Sequence, residues 1–301
     1  PTQPDSLYNP NRYFLQLGGK RVRPVLCLMA NELFGEITND AWHAATAIEL
    51  FHNFTLIHDD IMDKAPLRRG MQTVHEKFNT NTALLAGDVM LVTAYDYLNK
   101  ISRQHIQQII TLFNNTAKQV CEGQQLDLDF EKSDSVSFEQ YLTMINLKTS
   151  VLIAASLKIG AILGGGGERN QNLLYEFGRK LGLAFQVKDD YLDVFGKPEK
   201  FGKQVGGDIK SNKKTFLLIH ALQTSSPEHK KQLRKSLESD GEAKVLEVIK
   251  IFRENKIDEW AQHLQENFIS EAIGHLEDVA VVSKRKEPLK QMALFLTRRD
   301  F

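Results

Sequence analysis

Two short clusters of aspartates carry the strongest chemical signal in this sequence. Asp59, Asp60 and Asp63 form one D-D-x-x-D run, and Asp189, Asp190 and Asp193 form a second with the same spacing. At about 100° per helical residue, the three aspartates of each run fall within an arc of about 100°. Three like charges on one turn repel, and a plain solvated surface gains nothing from them. A hard divalent cation makes the arrangement favourable, because Mg²⁺ takes carboxylate oxygens and keeps positions for water and phosphate. The bland alternative is a solvated acidic helix end. Its repetition on two otherwise apolar stretches weighs against that, and the Asp-x-Asp-x-Asp-Gly pattern of a calcium loop is absent. All six aspartates are therefore candidate Mg²⁺ ligands. On the same projection His52, seven residues before Asp59, falls about 30° from the centre of its arc. Gln186, three before Asp189, shares the face of the other cluster. Both join the candidate site.

Magnesium held by one or two carboxylates usually has phosphate as its other partner, so basic residues should stand nearby. Lys20 and Arg23 lie in GGKRVRP (residues 18–24), and Arg68-Arg69-Gly70 follows the first aspartate cluster. Lys203 and the lysines of 210–214 flank Gly206-Gly207-Asp208 after the second, and Lys148-Thr149 lies in a helical run. Arginine suits phosphate through its planar fork and lysine as a compact point charge. Taken singly, each reads as a solvated surface charge. Placement beside the aspartate loops selects Lys20, Arg23, Arg68 and Arg69. The basic runs at 229–235 and 284–286 read as solvated helix faces. The glycines at 164–167 lack the Walker lysine and a preceding strand, so they read as a connector.

The elements that must position these residues are helices. None of the eight prolines falls between residues 67 and 197, although proline makes up about 5% of ordinary chains. Proline breaks helices from within, so the gap favours them. Apolar spacing of three and four predicts helices over 41–62, 151–163 and 173–192, and no segment sustains a period-two alternation. Breaks are expected at Gly18-Gly19, Gly35, 64–70, 164–167, 196–214 and 225–227. No composition shift marks a boundary in the 301 residues, so the expectation is one all-α domain over 1–301. With 38 basic against 38 acidic residues, bulk charge argues against nucleic acid or a membrane surface as partner. No stretch approaches about 18 uninterrupted apolar residues, so no membrane insertion is expected. The opening residues show no signal-peptide pattern, although the chain does not begin with Met. Cys27 and Cys121 cannot make a disulfide framework, and a reducing cytoplasmic interior is the default.

With these residues in place, the chain from about Gly18 onward resembles the trans-isoprenyl diphosphate synthases, the polyprenyl synthetase family. The matching blocks are GGKRVRP (18–24), ELFHNFTLIHDDIMD (49–63), RRG (68–70) and GQQLDL (123–128). KTS (148–150), GLAFQVKDDYLD (182–193), FGK (201–203) and GGDIKSNKKT (206–215) continue the series. One block alone is weak; all of them in this order are specific. The resemblance implies a single-domain bundle of mostly antiparallel helices around a deep central cavity, and a homodimer. It implies Mg²⁺ bridging Asp59, Asp63 and Asp189 to an allylic diphosphate, with Asp60, Asp190 and Asp193 supporting. Carried over by position, Lys20, Arg23, His52 and Arg69 would bind isopentenyl diphosphate. Arg68, Lys148, Thr149, Gln186, Lys203 and Lys213 would hold the allylic diphosphate. The catalytic set would be Asp59, Asp60, Asp63, Arg68, Lys148, Asp189, Asp190 and Lys203, which stabilise charge on the leaving diphosphate. The isopentenyl double bond then attacks the allylic cation, and a proton is lost to the departing diphosphate. No protein nucleophile is required.

In such enzymes, large side chains just before the first aspartate cluster form a floor that limits the product. Phe54 and Thr55 stand there, five and four residues before Asp59, with no insertion in the cluster. By resemblance this suggests geranylgeranyl diphosphate, with farnesyl diphosphate next and a longer polyprenyl product as the alternative. The helical projection dissents, placing Phe54 almost opposite the aspartates and favouring Thr55 and Leu56. A class I terpene cyclase shares the chemistry of ionisation, but the second aspartate cluster, residues 18–24 and Arg68-Arg69 argue against it. A non-enzymatic accessory subunit would tend to lose the aspartates. A di-iron bundle would need Glu-x-x-His pairs that do not accompany them.

Overall fold

Several helices begin where a side chain satisfies the first free amides. In the computed structural model, which describes residues 3–196 and 206–297, α1 (Asp5–Gln16) and α2 (Val22–Glu32) precede α3 (Asn39–Met62). Thr38 accepts from the Ala41 N–H at the head of α3, and Asn79 from the Thr82 N–H at the head of α5 (Thr80–Leu98). Between them lie a short hairpin, β1 (Leu67–Arg68) with β2 (Met71–Gln72), and the single turn α4 (Val74–Lys77). Arg69 and Gly70 make the hairpin turn at φ 55° and 76°, the positive pair that a two-residue turn needs. A ladder of two residues per strand is too short to leave an alternating pattern, which is why the sequence shows none.

After α6 (Arg103–Lys132) and α7 (Phe138–Ile145) the chain makes one π turn, Asn146–Ser150, before α8 (Val151–Leu163) and α9 (Glu168–Phe195). The helices expected over 41–62, 151–163 and 173–192 are thus α3, α8 and α9. Ser137 and Gln140 close a capping box at the head of α7. Beyond the second aspartate cluster come α10 (Gly207–Lys210), α11 (Phe216–Thr224), α12 (Pro227–Leu237), α13 (Glu242–Glu254), α14 (Ile257–Glu277) and α15 (Ser283–Thr297). Apart from the hairpin the described chain is all-α. One helical run, Phe138–Leu163, is long and apolar enough to cross a membrane, and 72% of its most apolar window is buried within the protein.

The contacts divide the chain into two compact units. The first runs to Asn114 and includes Ala155–Gln171. Here α3 packs chiefly on α5 and α2, and Phe14, Ile57, Val74, Ala83 and Met90 form a core group. The second takes Asn115–Ala154 and everything from Asn172 on. Its core draws Tyr141 and Ile145 from α7, Ala184 and Val187 from α9, Phe216 from α11, and Val248 and Phe252 from α13.

Candidate functional site

In the first unit the C-terminal turn of α3, the hairpin and the start of α2 bring four arginines together. Arg23 reaches His52 at 3.1 Å. Burial first, and then repulsion from Arg23, Arg68, Arg69 and Arg21, hold the His52 imidazole well below its usual protonation range. The ring is therefore neutral, with guanidinium charge around it. Arg21, at φ 50° before α2, pairs with Glu49 and donates to the Leu15 carbonyl at 3.0 Å. Arg69 donates to the Gly18 carbonyl, and its pKa is lowered by its partial burial and then by Arg68 and Arg21. Lys20 is exposed at the same turn. Such a concentration of forked donors suits an anion with several oxygens.

The first aspartate cluster is split in its duties. Asp60 is buried, and Arg68 Nε donates to both its oxygens at 2.9 and 2.8 Å. Burial raises the Asp60 pKa against the opposing pull of Arg68. Asp59, 3.7 Å from Arg68, is partly exposed, and Asp63 is exposed at the helix end. Phe54 stands away from them, edge-on to His58 at 4.8 Å and tilted against Phe51 at 5.7 Å. Thr55 bonds back to the His52 carbonyl at 2.8 Å.

The second cluster repeats the division. Asp190 is buried, accepting from the Tyr141 hydroxyl and from Gln186 Nε2 at 2.9 Å. Burial first, then Asp208, pushes its carboxyl up to about 7. Gln186 in turn accepts from Thr149 at 3.1 Å. Asp189 is partly exposed, whereas Asp193 accepts from the Asp208 N–H at 2.9 Å. Lys148 and Thr149 ride on the π turn, a distortion common at functional sites. Lys148 pairs with Asp127 at 2.6 Å, and Lys213 stands 3.9 Å from the same carboxylate. Burial would raise Asp127, but Lys213 and Lys148 prevail and lower it. Lys203 lies outside the described residues.

Tyr141, Asp127 and Arg21 had not been singled out from the sequence. Tyr141 reads as a plain core aromatic, and only its spacing of seven from Lys148 could have drawn notice. Gly123 has a clear reason to be glycine. A Cβ there would run into the backbone of Lys148, with the Lys148 Cα at 2.7 Å. One turn before Asp127, Nε2 of Gln124 is buried with no partner among the described residues, as a donor awaiting an acceptor would be. No group of three or more Asp, Glu, His or Cys among the described residues makes a ready metal cage. The donors present suit Mg²⁺, which takes few carboxylates and completes its shell with water and phosphate.

Comparison with known proteins points one way. The profile of the polyprenyl synthetase family matches residues 4–254. The chain is 38% identical over 298 residues to the short chain isoprenyl diphosphate synthase of Methanothermobacter thermautotrophicus, covering 99% of this chain and 91% of that protein. It is 37% identical over 305 residues to the geranylgeranyl diphosphate synthase of Methanosarcina mazei, covering 100% and 92%. A crystal structure of a geranylgeranyl pyrophosphate synthase superposes with a TM-score of 0.94 at 43% identity, covering 100% of this chain and 94% of that one.

Proposed function

The chain belongs to the polyprenyl synthetase family as a short-chain trans-prenyltransferase, and we propose that it makes geranylgeranyl diphosphate. Isopentenyl diphosphate condenses head-to-tail with dimethylallyl, geranyl or farnesyl diphosphate. The observation that carries this reading is the division within each aspartate cluster. Asp60 and Asp190 are buried against protein donors, while Asp59 and Asp189 are partly exposed and Asp63 is exposed.

In this reading, by likeness to the family, Asp59 and Asp63 would hold Mg²⁺, as would Asp189, with Asp60 and Asp190 fixing the helices that carry them. The cation, when bound, neutralises charge that develops on the leaving diphosphate. By likeness to the family, Arg68, Lys148, Thr149, Gln186, Lys203 and Lys213 are the residues assigned to the allylic diphosphate. Gln124 adds a donor. Lys20, Arg23, Arg69 and neutral His52 hold isopentenyl diphosphate, whose charge the arginines match without any protonation step. Fixed cationic donors need no reorganisation as the C–O bond breaks, so they favour the charge-separated state. The allylic cation is consumed by the isopentenyl double bond, and the proton then released goes to diphosphate.

By likeness to the family we take residues 1–301 as one functional domain acting as a homodimer. Both cysteines are free, which fits a cytoplasmic setting. The test is to incubate the protein with Mg²⁺, labelled isopentenyl diphosphate and each allylic starter, and to size the products. Chelation should stop turnover. No elongation with any starter would overturn the reading.

A further inference from the structure

The four-residue helix α10 is held at both ends by charged side chains from other helices. At its head, Asp193 in α9 accepts the Asp208 N–H on its carboxylate at 2.9 Å, and its own carbonyl accepts the Gly206 N–H at 2.6 Å. At its tail, Lys244 in α13 donates from Nζ to the Lys210 carbonyl at 3.2 Å. Lys244 is only 2% exposed. A buried ammonium is costly, and an apolar side chain would fill the same space without that cost. Its use here is the carbonyl it reaches. Between the two ends, Ile209 sits in the core with Val245 and Val248. Gly206, at φ 82°, lets the chain turn against Val245, whose methyl a Cβ would strike.

What the clamped turn delivers is Asp208 within it and the residues that follow it. Asp208 is near enough to Asp190 to raise its pKa. The Lys213 N–H is tied back to the Asp208 carbonyl at 2.9 Å, and Asn212 to the Leu237 carbonyl at 3.1 Å. Lys213 then reaches Asp127, and Lys214 donates to the carbonyls of Phe130 and Glu131 at 2.9 and 3.2 Å. We propose that Lys244 and Asp193 are positioning residues that grip the two ends of α10 and so place Lys213. This rests on the reading of Lys213 as a ligand of the allylic diphosphate. Asp193 thereby acts through the backbone amide of Asp208.

The experiment measures KM for each substrate in Lys244→Met, Lys213→Ala, Asp193→Ala and Asp193→Asn, together with amide hydrogen exchange over 206–214. Methionine keeps the buried stem and loses the donor. Lys244→Met is expected to raise KM for the allylic diphosphate about tenfold, the scale of losing an outer supporting contact. KM for isopentenyl diphosphate should hold, and exchange at 206–214 should quicken. Asp193→Ala should do the same, and Asp193→Asn, which keeps an acceptor oxygen, should recover most of the loss. A merely structural lysine would lower the active fraction and leave both KM values alone, which overturns the proposal. So would an Asp193→Asn variant as defective as Asp193→Ala, since that marks a needed charge. If Lys213→Ala itself leaves the allylic KM unmoved, the reading of Lys213 fails first and the clamp loses its purpose.

Discussion

The hydroxyl of Tyr141 is buried against the carboxylate of Asp190, 49 residues further along the chain. Arg68 does the same service for Asp60. In both clusters the second aspartate is committed to the protein, while its neighbours keep exposed surface. A buried carboxylate without such donors is costly, so each bond fixes the helix end that carries the cluster.

Tyr141→Phe keeps the ring packing and removes one donor from Asp190. The expected loss of stability is about 1–3 kcal/mol, the cost of a buried polar group left short of a partner. Urea unfolding measures it, and an unchanged midpoint would show that the hydroxyl contributes nothing.

Arg68→Ala strips Asp60 of its buried counter-charge. Breaking such a pair from one side costs about 3–5 kcal/mol. Activity should fall by orders of magnitude, since the same guanidinium is proposed to face diphosphate. Arg69→Ala, an exposed residue, should cost less stability in the same denaturant series.

His52 makes stability depend on pH in a stated direction. Its pKa is lowered in the fold by burial and then by Arg23, Arg68, Arg69 and Arg21. Below the ordinary value of 6.5 the unfolded chain takes a proton that the folded one refuses. Stability is therefore present above that pH and is lost as pH falls, by at most about 1.4 kcal/mol per unit. His52→Gln should flatten the decline between about pH 6.5 and 5. Equal slopes in both proteins would falsify the assignment.

Gly123→Ala forces α6 away from the π turn that carries Lys148. Overpacking of this kind costs about 1–3 kcal/mol, and here it also shifts a proposed diphosphate ligand. KM for the allylic substrate should rise more than KM for isopentenyl diphosphate.

Phe54→Ala tests the proposed floor. Product sizing should show chains longer than geranylgeranyl if Phe54 limits growth. Unchanged length at normal turnover would assign Phe54 to core packing beside His58 and Phe51, and would move the question to Thr55.

The sequence alone determined the class of structure and the chemistry. Helix periodicity and proline placement are local properties, and they placed α3, α8 and α9 to within a few residues. The repeated D-D-x-x-D spacing and the neighbouring basic turns pointed to a divalent cation and a phosphate ligand, the chemistry proposed above. The placement of His52 and Gln186 on the aspartate-bearing helical faces was also legible, because one helical face can be projected from residue spacing, and the structure sets Gln186 against Asp190. Tertiary structure decided which aspartates are buried. Identical spacing cannot tell Asp59 from Asp60, or Asp189 from Asp190, because what buries Asp60 and Asp190 against Arg68 and Tyr141 comes from other elements. The π turn, the contact of Gly123 with it, and the grip of Lys244 on α10 were equally hidden. Each depends on the approach of segments distant in the chain, and burial and pairing are settled only when those segments meet.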